Sequence, residues 1–181
     1  MDVTLIVDGA NVMGSRADGW WRDRAGAMAR LHGELVALAA RGLTGPVPGD
    51  AAAPGAGPVP DAGPVPDAGP APPAGAGSAA GPGPAAGAGS AELGEAAGAR
   101  WFPQVVLVVE GRARAVLGLV EPDPRVRVVA AGGEGDDEIV GLAGRLPGHR
   151  VVVTADRELR RRCEAAGAAV AGPGWLIRQF G

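Results

Sequence analysis

Apolar runs without regular polar alternation divide the chain and predict its strands. They cover residues 3–7, 105–109, 126–130 and 151–154, with a shorter run at 168–171. Unbroken runs rich in valine are typical of parallel strands that are buried on both faces. We therefore expect a mostly parallel sheet of four to five strands.

Between these runs, apolar residues recur at the three- and four-residue spacing of helices. The pattern predicts helices over residues 20–41, 136–146 and 157–166, and a closing helical turn over 175–180. Strands that alternate with helices indicate an α/β fold with helices on both faces of the sheet.

Residues 44–98 interrupt this alternation with a tract of Gly, Ala, Pro and Ser that contains the hexapeptide GPVPDA twice in tandem. The tract has few bulky side chains to bury and many prolines, so we expect it to be disordered. Because the alternating pattern continues on both sides of it, we interpret residues 1–181 as a single domain that carries a surface insertion.

The net charge and the aromatic content limit the kinds of binding partner that we expect. A net charge of −3 argues against a general polyanion binder, and an aromatic content of 3% argues against the usual RNA-stacking platform. The chain starts with a predicted strand and contains no long apolar run. We therefore expect no signal peptide, no membrane association and a cytoplasmic location.

Acidic residues follow the predicted strands at the points where helices begin. Asp8 lies in LIVDGAN, Asp136 and Asp137 in GEGDDEIV, and Asp156 in VVVTADRELR, while Glu110 ends the second strand. Because the carboxyl ends of parallel strands meet at one edge of the sheet, we expect these acids to converge. Converging carboxylates are costly unless a cation lies among them, so the pattern predicts a divalent-metal site.

Several of these residues also have simpler interpretations. Asp8 is able to start a turn with the following glycine, Asp156 to cap the next helix, and Asp137 to interact with a helix dipole. Asn11 is placed to hold a water, a phosphate or the Asp8 side chain, or else to cap a helix. Such roles explain poorly why residues 134–138 contain four acids.

Candidate substrate-binding residues lie close to the acids along the chain. Arg112 follows Glu110, and both Arg157 and Arg160 follow Asp156. Guanidinium groups in these positions are suited to hold phosphates, although a solvated helix face explains them as well. A tryptophan, Trp20, is a candidate to stack on a base, with a place in the core as the alternative.

The basic residues exclude several enzymes that also use acidic pockets. All 17 are arginine, and the chain contains no lysine. P-loop proteins place a lysine on the phosphates, and response-regulator receivers and haloacid-dehalogenase-type phosphatases normally use one too. Cys163 has no evident base beside it. Of the protein classes with acidic pockets, the sequence leaves open a metal-dependent phosphodiesterase that needs no lysine.

The motifs VDGANV, GDDEIV and TADRELRRR, in this order, resemble those of the NYN domains, relatives of the PIN nucleases, and of the YacP-like branch in particular. The resemblance spans the chain apart from the insertion. It implies a PIN-like (Rossmann-like) three-layer fold and an endoribonuclease that depends on Mg²⁺ or Mn²⁺. It also implies RNA as the partner, since bacterial members act on RNA and some act near ribosomes.

By motif match, the site residues of this family would be Asp8, Asn11, Asp136 or Asp137, and Asp156. Two positions depart from the family pattern, because an alanine in DGAN replaces a frequent tyrosine and the glutamate of VVEG replaces a frequent aspartate. Two alternatives to the ribonuclease stay open. One is a non-catalytic NYN module that binds RNA or the ribosome, and the other is a metal-dependent hydrolase of DNA or small nucleotides.

Overall fold

The computed structural model describes residues 2–16, 19–50 and 100–180. All of them belong to one compact unit. In these ranges, no helix has the length and apolar character needed to span a bilayer.

Five parallel strands form one sheet, in the spatial order β3-β2-β1-β4-β5. Their bounds are β1 (Val3–Asp8), β2 (Gln104–Val109), β3 (Val126–Ala130), β4 (His149–Val153) and β5 (Ala169–Ala171). The sequence-based prediction of a parallel α/β sheet is confirmed, including its short fifth strand. β1 lies at the centre, so its carboxyl end is flanked by the ends of β2 and β4.

Alternate residues of the buried strands face two separate cores. On β1, Leu5 and Val7 belong to one core, whereas Ile6 belongs to the other. Because both faces of the central strands are covered, β1 and β2 have no polar face, which explains their apolar runs. At the edge strand β3 Arg127 is exposed.

Helices cover both faces of the sheet, as predicted. One face carries α1 (Gly9–Gly14), α2 (Arg24–Arg41), a 3₁₀ helix (Gly111–Gly118) and α5 (Pro173–Ile177). The opposite face carries α3 (Gly135–Arg145) and α4 (Arg157–Ala165). The sequence pattern did not predict α1 or the 3₁₀ helix.

The start of α2 differs from the prediction. The helix begins at Arg24, and Asp23 caps it by accepting a hydrogen bond from the backbone N–H of Gly26 at 2.9 Å. Trp20 and Trp21 therefore lie in the turn before the helix, where their rings meet edge to face with centroids 6.5 Å apart.

The chain on either side of the predicted insertion is joined by a short bridge. Leu43 and Trp101 pair in antiparallel fashion, and the Trp101 indole N–H donates to the Gly45 carbonyl at 3.1 Å. The aromatic ring of Trp101 also stacks on that of Trp175, with centroids 6.5 Å apart.

The first residues of the predicted insertion also contact the fold. A ring nitrogen of His149, on β4, lies 2.8 Å from the Pro48 carbonyl oxygen. Residues 44–50 of the predicted insertion are described and make these contacts. The disorder predicted for residues 51–98 lies outside the described residues and stays a prediction.

Candidate active site at the carboxyl edge of the sheet

Asp8 ends the central strand and is buried, with 6% of its surface exposed. It caps α1, because its Oδ1 accepts from the Asn11 backbone N–H at 3.1 Å. The chain can turn this sharply because residue 9 is glycine. A Cβ on Gly9 would lie 2.8 Å from the Val108 carbonyl oxygen, so no larger residue fits. The Asp-Gly pair thus both turns the chain and directs a carboxylate to the sheet edge.

Thr154 connects Asp8 to the end of β4. Its side chain is fully buried, and its hydroxyl donates to Asp8 Oδ2 at 2.9 Å. The same hydroxyl oxygen accepts from the Asp156 backbone N–H at 3.1 Å. Asp156 in turn caps α4, because its Oδ1 accepts from the Leu159 N–H at 2.8 Å. One threonine therefore fixes two of the candidate acids relative to each other.

The Asn11 amide is occupied by the protein itself. Its Nδ2 donates to Asp8 Oδ2 at 2.7 Å, and its Oδ1 accepts from the Ala155 N–H at 3.3 Å. Of the roles expected for Asn11, the structure shows that of holding the Asp8 side chain. The helix cap is Asp8, and Asn11 lies inside α1.

Glu110 joins the end of β2 to the start of α3. Its Oε2 accepts from the Gly135 N–H at 2.9 Å. A Cβ on residue 135 would lie 2.8 Å from the same oxygen, so a larger residue there would displace the Glu110 carboxylate. Asp136, the next residue, is half-buried in the first turn of α3. Its carboxylate has no hydrogen bond or salt bridge within the described part of the chain.

The pKa values of two acids at this edge of the sheet are shifted by burial and by the charges of neighbouring acids. Burial raises the pKa of Asp136 above its ordinary value of 3.8, and the negative charges of Asp8, Asp156 and Glu110 raise it further. Burial also raises the pKa of Asp8, a shift that its hydrogen bonds oppose. Within the ranges that the structure describes, Arg162 is the cation that lowers the pKa of Asp136.

Asp137 contacts a different partner. Its Oδ1 forms a salt bridge of 2.6 Å with Arg162 on α4, and 67% of its side chain is exposed. The metal-binding role expected for Asp137 stays a prediction, and a metal ion there would compete with this guanidinium for the carboxylate.

The donor set fits a hard divalent cation in its chemistry, because every candidate ligand is a carboxylate oxygen. The candidate ligands do not, however, lie close to one another. Among the described residues, no group of three acids, histidines or cysteines is close enough to bind one ion directly. As placed, the acids therefore do not form a site with three direct ligands for one ion.

The candidate substrate-binding residues are divided between two clefts and α4. Trp20 lines a cleft of about 410 Å³ together with Glu110, whereas Arg112 lines a second cleft of about 340 Å³. Arg157 and Arg160 lie on α4, at the opposite face of the sheet from α1 and α2. The two clefts share Arg24, and α4 begins at Arg157 directly after Asp156. The substrate-binding roles of these residues stay predictions.

Two relationships in this region were not predicted from the sequence. One is the bond between Thr154 and Asp8, and the other is the position of Arg162 as the neighbour of Asp136. The hydroxyl of Thr154 was a usable signal, since a polar group at the end of a buried strand must find a hydrogen-bond partner.

Cys163 has no place in the chemistry of this edge. It is buried on α4, and burial raises the pKa of its thiol to about 11. A thiol that stays protonated at neutral pH is a poor nucleophile.

A five-stranded parallel sheet in this order, with helices on both faces, defines a three-layer α/β fold. The comparison with solved structures identifies a particular example, the crystal structure of Rae1 (YacP) from Bacillus subtilis, determined as a tryptophan-to-leucine mutant. The two match with a TM-score of 0.54 at 15% sequence identity, over 99% of this chain and 75% of that chain. At this identity the likeness establishes the fold. No protein family and no curated protein matches the sequence.

Proposed function

We propose that this protein is a metal-dependent ribonuclease that hydrolyses RNA phosphodiesters at the carboxyl edge of the sheet. The observation that carries the proposal is the placement of four acids at one edge of the sheet. Thr154 links Asp8 to Asp156 by hydrogen bonds, and Glu110 accepts from the Gly135 N–H beside Asp136. The NYN-like motifs and the YacP-like fold support RNA as the substrate. Mg²⁺ or Mn²⁺ is the cofactor that hard oxygen donors favour.

In this proposal Asp8 and Asp136 would hold the metal ion, with Asp156 and Glu110 as further candidate ligands. A divalent ion bound there would supply hydroxide at neutral pH and would neutralise charge on the phosphate. Asp136 is the best-placed direct ligand, because no other group of the described chain hydrogen-bonds to its carboxylate. Binding of a cation would also relieve the repulsion among these charges.

Two polar residues position the central carboxylate. Asn11 and Thr154 hold both oxygens of Asp8 in place by hydrogen bonds of 2.7, 2.9 and 3.1 Å. Because these bonds fix the direction of the carboxylate before any ligand arrives, they reduce the entropy that metal binding would cost.

Arginines on two sides of the edge would contact the RNA backbone. Arg112 would do so from the second cleft, where guanidinium groups outnumber carboxylates three to one. Arg157 and Arg160 would do so from α4. The planar fork of a guanidinium group fits two phosphate oxygens at once.

The first experiment is cleavage of 5′-labelled single-stranded and structured RNAs with Mn²⁺, Mg²⁺ or EDTA. We expect cutting that requires the metal and is lost in Asp8→Asn. Glu164→Gln is the matched control, since it also converts an acid to its amide, at an exposed position near the end of α4. An Asp8→Asn protein that cuts at the wild-type rate would contradict the proposal.

A non-catalytic RNA- or ribosome-associated module is the second candidate. It is favoured by the spacing of the acids, because no three of them in the described ranges are close enough to hold one ion together. RNA binding without cutting under any metal condition would favour this module. Cutting of DNA or of mononucleotides in the same assay, with RNA left intact, would favour a hydrolase of those substrates instead.

A further inference from the structure

The cleft that contains Trp20 adjoins the acidic edge and shares Glu110 with it. It lies between α1, the 3₁₀ helix and the turn that leads into α3. Its volume of about 410 Å³ is within the usual range for small-molecule sites. One wall is apolar and aromatic, with Met13 and Met28 lining the cleft along with the Trp20 ring. This wall is suited to a flat, uncharged ring.

The charged groups of the cleft balance one another. Two carboxylates, Glu110 and Glu134, face two guanidinium groups, Arg24 and Arg114. A phosphate in this cleft would meet as much negative as positive charge, so the cleft does not favour it over water. The second cleft shares Arg24 with the first and adds Arg22 and Arg112 against the single carboxylate of Asp23, so it is the more favourable place for a phosphate.

The polar groups of the first cleft are held in fixed places by the surrounding structure. The Arg114 guanidinium donates to the Ala131 carbonyl, which anchors it beside the turn between β3 and α3. The Arg24 guanidinium carbon lies 5.3 Å from the centroid of the Trp20 ring. Glu134 precedes α3, is exposed, and forms no cap hydrogen bond with the helix. Its carboxylate is therefore available to a ligand.

Guanine is the base whose edges match this set of groups. Its N1–H and N2–H lie side by side and suit a carboxylate, while its O6 and N7 accept from a guanidinium. Adenine, cytosine and uracil each lack the pair of adjacent donors. We propose that this cleft is a guanine-binding subsite, in which the base packs against the apolar wall, Glu134 accepts from its donor edge and Arg114 donates to its acceptor edge.

The subsite rests on the proposed ribonuclease function for its biological meaning, and it makes the substrate class more specific. A base that enters the cleft must be unstacked from its neighbours, so the substrate is single-stranded at that nucleotide. Because Glu110 belongs both to the cleft and to the acidic edge, the guanine is next to the bond that is cut. The cleavage sites would then have a guanine at one fixed position.

Binding of mononucleotides tests the subsite without any catalysis. Calorimetric titration with GMP, AMP, CMP and UMP in EDTA compares four bases that carry the same phosphate. We expect GMP to bind about ten- to hundredfold more tightly than the others. In Glu134→Gln this preference should disappear, because an amide presents one acceptor and one donor to the base. Equal affinities for all four nucleotides, or a preference that survives in Glu134→Gln, would overturn the proposal.

Cleavage of an RNA that contains a single guanine tests the guanine subsite separately from the ribonuclease activity. Replacement of that guanine by hypoxanthine removes only the 2-amino donor, and we expect slower cutting at that site by the wild-type protein. Metal-dependent cutting that is indifferent to guanine and hypoxanthine would overturn the subsite and leave the ribonuclease intact. Selective GMP binding without any cutting would support the subsite and count against the ribonuclease.

Discussion

The Thr154 hydroxyl donates a hydrogen bond to Asp8 Oδ2 at 2.9 Å across a separation of 146 residues in the chain. This contact joins the ends of β4 and β1 at the point where the candidate acids meet. The threonine is fully buried, so water cannot replace the bond when it is lost.

Replacement of Thr154 by valine should lower stability and disturb the site together. Valine keeps the shape but removes the donor to Asp8 and the acceptor for the Asp156 N–H, which costs about 1–3 kcal/mol. Urea denaturation measures the change in the free energy of unfolding. Thr154→Ser retains the hydroxyl and should retain the metal-dependent activity. Full activity in the valine variant would show that this contact does not position Asp8.

Asp136→Asn should stabilise the metal-free protein at neutral pH while it weakens metal binding. The folded-state pKa of Asp136 is raised, so folding favours its protonated form. Its charge therefore destabilises the fold above that pKa, and the penalty vanishes as the pH falls below 3.8, where both states are protonated. Thermal unfolding in EDTA and in MnCl₂ measures both effects. If Mn²⁺ raised the Tm of the variant as much as that of the wild type, Asp136 would not be a ligand.

Arg162→Gln should strengthen the binding of Mn²⁺ rather than weaken it. Arg162 lowers the pKa of Asp136, so its loss makes the site more negative. Its salt bridge with Asp137 is partly exposed and adds little to stability. Calorimetric titration with Mn²⁺ measures the affinity, and Arg161→Gln is the control, because Arg161 pairs with Glu158 instead. Weaker binding in Arg162→Gln alone would mean that the Asp137 salt bridge organises the site.

His32→Leu should make stability less dependent on pH on the acid side of neutrality. His32 is buried in α2, and its Nε2 has no hydrogen-bond partner among the described residues. Burial lowers the pKa of His32 below 6.5, and the negative charge of Asp123 partly opposes this shift. Below pH 6.5 the unfolded chain therefore binds the proton more readily, and wild-type stability falls as the pH drops towards the folded-state pKa. Denaturation midpoints at pH 7.5 and 5.5 measure this loss. An equal loss in both proteins would contradict the assignment.

Replacement of residues 52–98 by a short Gly-Ser linker should leave folding and activity intact. Residues 44–50 are retained because they contact the core, and the Leu43–Trp101 bridge remains on either side of the linker. The thermal unfolding midpoint and the cleavage rate of the shortened protein measure the outcome. Loss of activity with an unchanged midpoint would assign a substrate-binding role to the insertion.

The strands and the longer helices were predictable because their signal is local. Valine runs locate a strand within a residue or two, and the apolar spacing located α3 and α4 almost to their ends. α1 was missed because six residues that include two glycines show no helical period. The 3₁₀ helix was missed because only Ala113 and Val116 on it are buried.

The acids of the candidate site were predictable because they follow strands, but their partners were not. In the sequence Thr154 is only the last residue of an apolar run, and the register of β1 against β4 brings it to Asp8. The choice of Arg162 among the arginines of α4 as the neighbour of Asp136 depends on how α4 packs against α3. Such contacts between distant segments leave no periodic trace in the sequence.

The bridge between Leu43 and Trp101 consists of two backbone hydrogen bonds, of 2.8 and 3.0 Å. They hold side by side the segments that lead into and out of the long Gly-, Ala- and Pro-rich tract. Because the two chain ends are held close together, we expect this position to tolerate the insertion of a foreign sequence. An epitope tag, or a reporter domain whose own termini lie close together, can replace the native tract there without altering the strand order.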